Sequence, residues 1–273
     1  METHFQEIEE QIYRGKIEWV SYSELNIFKE SPRLYEYRVL KGNRSAQSKN
    51  QRKGVALHYR VLEPEKFDWM VKPLVGVSDL RTLKAKHLTE TLLNENPTAI
   101  LLTEPDYEAV LQAAEAVRLH PEAAELLYKA QFEKSYFWEK IIKCKARADG
   151  LNLGLGSVFD LKSTESVPYF EKSIFEWGYH RQAAHYLEGA AQFDDFRNFK
   201  WIAVEFKEPF LCDVITASES LLEMGREEND ELKSFFKECL EKNVWPVSSI
   251  RGPRVAHAPG WWRPKTEVVE MSL

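Results

Sequence analysis

The stretch SVFDLKST, residues 157–164, decides how this chain is read. Phe159 and Leu161 alternate with Asp160 and Lys162, the period of two that a β-strand imposes, so the apolar pair shares one face and the charged pair the other. Gly154, Gly156 and Pro168 bound the run. Spacing alone leaves two readings open for the charged face. It is either an exposed ion pair, worth little to stability, or part of a chemical site.

Asp149 ends the preceding strand candidate, IIKCKARAD (141–149), and a hairpin through GLNLGLG (150–156) would bring it close to Asp160. Two carboxylates that share a site repel unless a cation lies between them, and hard oxygen ligands favour Mg²⁺ or Mn²⁺. Lys162 would then position or deprotonate a water. With FEKSYFWE (132–139) these segments make a three-stranded antiparallel meander. A long helix is expected over residues 168–192. On it Phe175, Tyr179, Gln182 and Tyr186 share one side, the first and second as core, while Gln182 needs a polar partner. KWIAVEF (200–206) and FLCDVIT (210–216) read as two more strands, followed by a helix over 217–243.

The N-terminal half reads as mostly helical: a helix from Ser21 or Ser23 to about Leu40, one from Lys53 to Leu62, one over 78–94 and one over 104–129 interrupted near Pro121. The fold class is therefore α/β, with a helical part (1–130), a sheet-and-helix core (131–245) and an irregular tail (246–273), taken together as one domain. No apolar run is long enough to span a bilayer and the first residues are polar, so a cytoplasmic protein without membrane contact is expected. A net charge of −6 argues against coating nucleic acid by bulk electrostatics. Yet residues 37–62 hold Arg38, Arg44, Arg52 and Lys53 among seven basic residues and no acidic one. That is either a solvated loop or a patch suited to phosphates.

The order Asp149, Asp160-x-Lys162, then QAAHY with Gln182 and Tyr186, resembles the PD-(D/E)xK nuclease superfamily in its RecB/RecE-like branch. GVALH (54–58) is similar to the Gly-x-x-x-His helix of that branch, and SYSELNIFKESPRLYEY (21–37) to its N-terminal helix. Within the branch, the length, the absence of GxxxxGK[ST] and the NVWP segment (243–246) look most like the RecE-type exonuclease domain, commonly found in phages and prophages. The resemblance implies a restriction-endonuclease-like core, a central mixed sheet flanked by helices. It implies Mg²⁺-dependent digestion of linear double-stranded DNA, 5′ to 3′, leaving 3′ overhangs for a single-strand annealing partner, by a ring-shaped homo-oligomer. Other outcomes are an endonuclease on the same site or a non-catalytic DNA-binding or assembly module.

By the same resemblance Asp149 and Asp160 are metal ligands, joined by His58 and the carbonyl of Leu161, and Lys162 addresses the water. Gln182 and Tyr186 hold the site or a DNA phosphate, and Glu63 is left outside the metal shell. Arg33, Arg38, Arg44, Arg52, Lys53 and Arg147 are expected to contact DNA. His257, Trp261 and Trp262 are read as interface or core. Some relatives hold an iron–sulfur cluster on four cysteines, but here the first position is Ser31 and the three cysteines lie elsewhere, so no cluster is expected.

Overall fold

The computed structural model describes residues 5–43 and 49–248. In chain order, α1 (Glu10–Gly15) and β1 (Val20–Ser21) lead into α2 (Tyr22–Glu30), α3 (Pro32–Tyr35), α4 (Lys49–Leu62) and α5 (Pro64–Met70). Next come β2 (Val71–Leu74), α6 (Leu83–Glu95), β3 (Ile100–Thr103), α7 (Glu104–Leu119) and α8 (Pro121–Leu127). The second half holds β4 (Gln131–Glu139), β5 (Lys143–Asn152), β6 (Ser157–Thr164), α9 (Phe170–Glu176), α10 (Tyr179–Ala190), β7 (Asn198–Glu205), β8 (Cys212–Thr216) and α11 (Glu219–Lys242).

The central sheet is mixed, in the order β1-β5-β6-β7-β8 with β4 also on β5. β4, β5 and β6 form the expected antiparallel meander, and α10 crosses back so that β7 runs parallel to β6, with Asp160 opposite Trp201. Helices cover both faces. On one side Leu25 and Phe28 of α2, Ala183 and Leu187 of α10 and Phe236 of α11 pack against Val158, Phe199 and Trp201. On the other, Leu57 of α4, Val110, Ala114 and Val117 of α7 and Leu126 of α8 pack against Phe159, Leu161 and Val204. Strands buried on both faces by helices are what an α/β layer architecture requires. A separate two-stranded parallel sheet, β2 with β3, has its own small core of Leu74, Val77, Ala85 and Leu101.

Several boundaries differ from expectation for identifiable reasons. The helix begun at Ser21 is held by a capping box, with Glu24 N donating to Ser21 Oγ and Ser21 N to Glu24 Oε2. It stops at Ser31, because the residue before Pro32 is driven to extended backbone, φ −164°. The helix expected from Ser78 starts at Leu83, where Thr82 supplies the cap. The long helix after β6 is two helices, split at Gly178, whose φ of +70° only glycine adopts cheaply. A Cβ there would also stand 2.4 Å from Arg181 Nη2. The split takes Phe175 off the stripe: it is 58% exposed, not core. Among the described residues no helix is long and apolar enough to cross a membrane.

Candidate active site

β5 and β6 pair over three rungs, Asn152 with Ser157, Leu151 with Val158 and Gly150 with Phe159. Beyond Gly150 they part, and β1 takes the place beside β5 at Cys144 and Lys145. The candidate site lies in this gap. Leu161 N, which would otherwise seek a carbonyl across the ladder, donates to Asp149 Oδ2 at 2.7 Å. His58 reaches the gap from α4: Nδ1 is 3.3 Å from Asp149 Oδ2 and Nε2 is 2.8 Å from the carbonyl oxygen of Leu161. Asp160 and Lys162 enter from the α10 side. Lys162 Nζ stands 2.6 Å from Asp160 Oδ2, and Gln182 Nε2 donates to Asp160 Oδ1 at 2.8 Å.

Asp149, Asp160, Lys162, Gln182, His58 and the Leu161 carbonyl therefore come together. Tyr186 lies one turn from Gln182 on α10, with its ring against Phe199 and its own carbonyl accepting from Tyr136 Oη at 2.9 Å. Tyr179 opens α10 under Lys162, whose ammonium is 4.7 Å from the ring centre.

Burial raises Asp160, the charge of Asp149 adds to it, and the carboxyl is pushed up to about 6 against the pull of Lys162. Burial would also raise Asp149, but His58 outweighs it and the carboxyl falls below its ordinary value. Burial disfavours a charged His58, yet Asp149 overrides this and pushes the imidazole up to about 9. Lys162 loses charge preference to burial and regains more from Asp160, so it is held up as an ammonium. Within this arrangement it sits as a donor to Asp160 Oδ2.

Glu133 is the site residue that the sequence reading missed. Its flanking residues pair with Gly150 and Ala148, which places it opposite Asp149. Its carboxylate, His58 and Asp149 offer donor atoms all within 4.8 Å of one another. Burial and then the charge of Asp149 push the Glu133 carboxyl up to about 8. Period-two reasoning hides it, because Glu133 has φ +52° within β4, and Phe132 and Tyr136, four apart, pack on opposite faces of the sheet. Glu63, left out of the shell, is near enough for its charge to act on Glu133, but Lys66 engages it at 3.3 Å.

The expected DNA contacts divide. Arg147 is committed to the protein: Nε donates to Ser135 Oγ at 3.0 Å, Nη2 to the Ile8 carbonyl at 2.5 Å, and the guanidinium lies 4.6 Å from the Tyr13 ring. Lys53 pairs with Asp106 at 3.4 Å and covers Phe206. Arg33 is exposed and paired with Glu36. Arg38 and Arg52 are partly exposed, and Arg52 Nε is buried without a hydrogen bond among the described residues. Arg44, His257, Trp261 and Trp262 lie outside the described residues.

Residues 21–251 match the PDDEXK-like domain of unknown function, DUF3799. Among solved structures, the fold is similar to that of a protein described as "Putative exonuclease" from Eubacterium rectale. The identity is 12%, over 93% of this chain and 96% of that one, with a TM-score of 0.63. The structure of SSO0001 aligns over 71% of this chain and 96% of its own at 16% identity, but with a TM-score of 0.29 the shapes differ. No curated protein matches the sequence.

Proposed function

Since the chain belongs to the PDDEXK-like DUF3799 family, we propose that it is a divalent-metal-dependent exodeoxyribonuclease acting on the ends of linear double-stranded DNA. The observation that carries this reading is the convergence of Asp149, Asp160, Lys162 and Gln182 at the β5–β6 gap, with His58 closing it from α4.

The donor set fits a hard divalent cation, Mg²⁺ or Mn²⁺. It offers carboxylates, an imidazole and the Leu161 carbonyl, and two of the carboxylates, Asp149 and Asp160, are buried at the same gap. Asp149, Asp160, His58 and the Leu161 oxygen would hold the ion, which when bound supplies a water of lowered pKa and stabilises charge on the phosphate. The Lys162 ammonium orients that water and meets the negative charge that develops on the phosphate. Gln182 fixes Asp160, and Tyr179 fixes the Lys162 head beside it. Arg38, Arg52 and exposed Arg33 remain for the DNA backbone.

We read the chain as one nuclease domain of the RecE type, degrading 5′ to 3′ to leave 3′ overhangs for strand annealing, and assembling as a ring. End-labelled linear duplex, with and without Mg²⁺ and with 5′-phosphate or 5′-hydroxyl ends, tests metal, polarity and end recognition together. Covalently closed circles run beside it must stay intact; their cleavage would replace exonuclease by endonuclease.

A further inference from the structure

We propose that Trp177 is a base-stacking residue: its indole receives the nucleobase next to the scissile phosphodiester once that strand has parted from its complement. This rests on the reading of the chain as a DNA nuclease and adds to it a positioning residue outside the β5–β6 gap.

The first support is connectivity. The chain leaves the site at Lys162, passes the carboxyl end of β6 at Thr164, makes an excursion through α9 and returns at Tyr179, whose ring lies 4.7 Å from Lys162 Nζ. β6 and β7 run parallel here, and open sheets take ligands beyond the carboxyl ends of parallel strands. Residues 165–178 therefore border the place where a phosphodiester would meet Lys162. Trp177 is two residues from Tyr179, so their Cα atoms lie within about 7 Å of each other.

The second is the character of that excursion. Phe170 and Ile174 turn inward, Phe170 stacking on Tyr179 at 5.9 Å, whereas Tyr169, Phe175 and Trp177 are exposed. Phe175 leans on His180, and Tyr169 carries Lys172 over its ring. The Trp177 indole is 58% exposed and, among the described residues, takes no ring contact, ion pair or hydrogen bond. Its backbone is nonetheless held: Tyr22 Oη lies 3.1 Å from the Trp177 carbonyl oxygen and 2.8 Å from that of Gly178. A large ring on a fixed backbone, with its faces free, loses little freedom on taking a flat partner.

The third is the chemistry of the partner. Asp160 and Lys162 are recessed, so a strand that reaches them has to leave its duplex, and its bases lose their stacking neighbours. Aromatic side chains replace such neighbours whatever the sequence. α9 exposes Glu171 and Glu176 with Lys172 as its sole cation, a surface unsuited to a phosphate backbone. The uncharged face of a base is the part of a nucleotide that the indole fits.

The test places 2-aminopurine, whose fluorescence falls when it stacks, at the terminal nucleotides of either strand of a linear duplex bound by the full-length protein in Ca²⁺. Wild type, Trp177→Ala, Trp177→Phe and Trp177→Leu are compared, with circular dichroism and melting temperature as fold controls and sedimentation as the control for assembly. Wild type is expected to hold the probe of the engaged strand quenched, Trp177→Ala to leave it bright and Trp177→Phe to lie between. Trp177→Leu, apolar but without a π face, should be as bright as alanine, which separates stacking from packing. Trp177→Ala should also raise KM for the duplex by about tenfold, the scale of one lost base–aromatic stack, with kcat in Mg²⁺ within a few-fold of wild type. Equal fluorescence in wild type and Trp177→Ala overturns the assignment; if sedimentation then differs, Trp177 belongs to a protein interface instead. Quenching that depends on Trp177 in a protein that digests no DNA in Mg²⁺ or Mn²⁺ overturns the nuclease reading alone. A wild type that binds no DNA overturns both.

Discussion

Lys162 Nζ and Asp160 Oδ2 are 2.6 Å apart on the same face of one strand, two residues removed, with both side chains largely out of solvent. The pair keeps the lysine charged and the aspartate oriented. Lys162→Met is expected to lower DNA hydrolysis by at least about 10²-fold, the scale of losing one charge-stabilising donor, while duplex binding in Ca²⁺ is kept. Single-turnover digestion beside a binding titration measures this. Hydrolysis within a few-fold of wild type would remove Lys162 from the mechanism.

Gln182 acts at one remove, through its hydrogen bond to Asp160 Oδ1. Gln182→Ala should weaken metal dependence, raising the Mg²⁺ concentration needed for half-maximal rate, more than it lowers the rate at saturating Mg²⁺. Gln182→Glu is expected to be worse than alanine, since it sets a third carboxylate against Asp160. An equal loss at all Mg²⁺ concentrations would count against this positioning role.

The elbow between α9 and α10 is pinned from α2, where Tyr22 Oη donates to the Gly178 carbonyl at 2.8 Å. Tyr22→Phe leaves that buried carbonyl with less hydrogen bonding and should cost about 1 kcal/mol in chemical denaturation. It should also lower the nuclease rate, because α10 carries Gln182 and Tyr179. Full activity at reduced stability would separate the elbow from the chemistry.

Gly150 is covered by the Phe159 ring: a Cβ at 150 would stand 1.9 Å from Phe159 Cζ. Gly150→Ala is expected to destabilise by about 3 kcal/mol, since both groups belong to the last rung before the strands part. Adding Phe159→Ala should cost less than the sum of the two single changes, as expected for residues in contact. Strict additivity in melting experiments would contradict the contact.

Acid stability should depend on Glu188, away from the gap. Burial raises its carboxyl, but Lys233 and Lys140 outweigh burial and bring it down to about 2 from an ordinary 4.5. Its folded value lies below its unfolded one, so its contribution is complete above about 4.5 and is lost as pH falls through about 2. After solvent screening this is worth about 2 kcal/mol. Glu188→Gln should remove that stability at neutral pH and flatten the acid limb of melting temperature against pH. An unchanged acid limb would refute it.

Much of this could be read from the sequence because the site is built from local patterns. Alternation in 157–164 separates Phe159 and Leu161 from Asp160 and Lys162, and the hairpin supplies Asp149. What stayed hidden depends on backbone that breaks those patterns. Glu133 lies where the alternation of β4 is reset, so period-two reasoning had no place for it. The β2–β3 pair was missed because VKPL carries a proline and ILLT is short, and only their mutual pairing makes them strands. Arg147 was offered to DNA because nothing in the sequence announces that residues 8 and 135 would take its donors.

Asp149 performs a duty in the sheet as well as at the site, since its Oδ2 receives the Leu161 amide where the β5–β6 ladder gives out. A chain that had abandoned catalysis would still be under pressure to keep this aspartate, merely to close its backbone. Among the described residues no main-chain group engages the Lys162 ammonium, whose partners are Asp160 and the Tyr179 ring. When sequences of this plan are sorted into working and retired enzymes, the lysine is therefore the informative position and the first aspartate the misleading one.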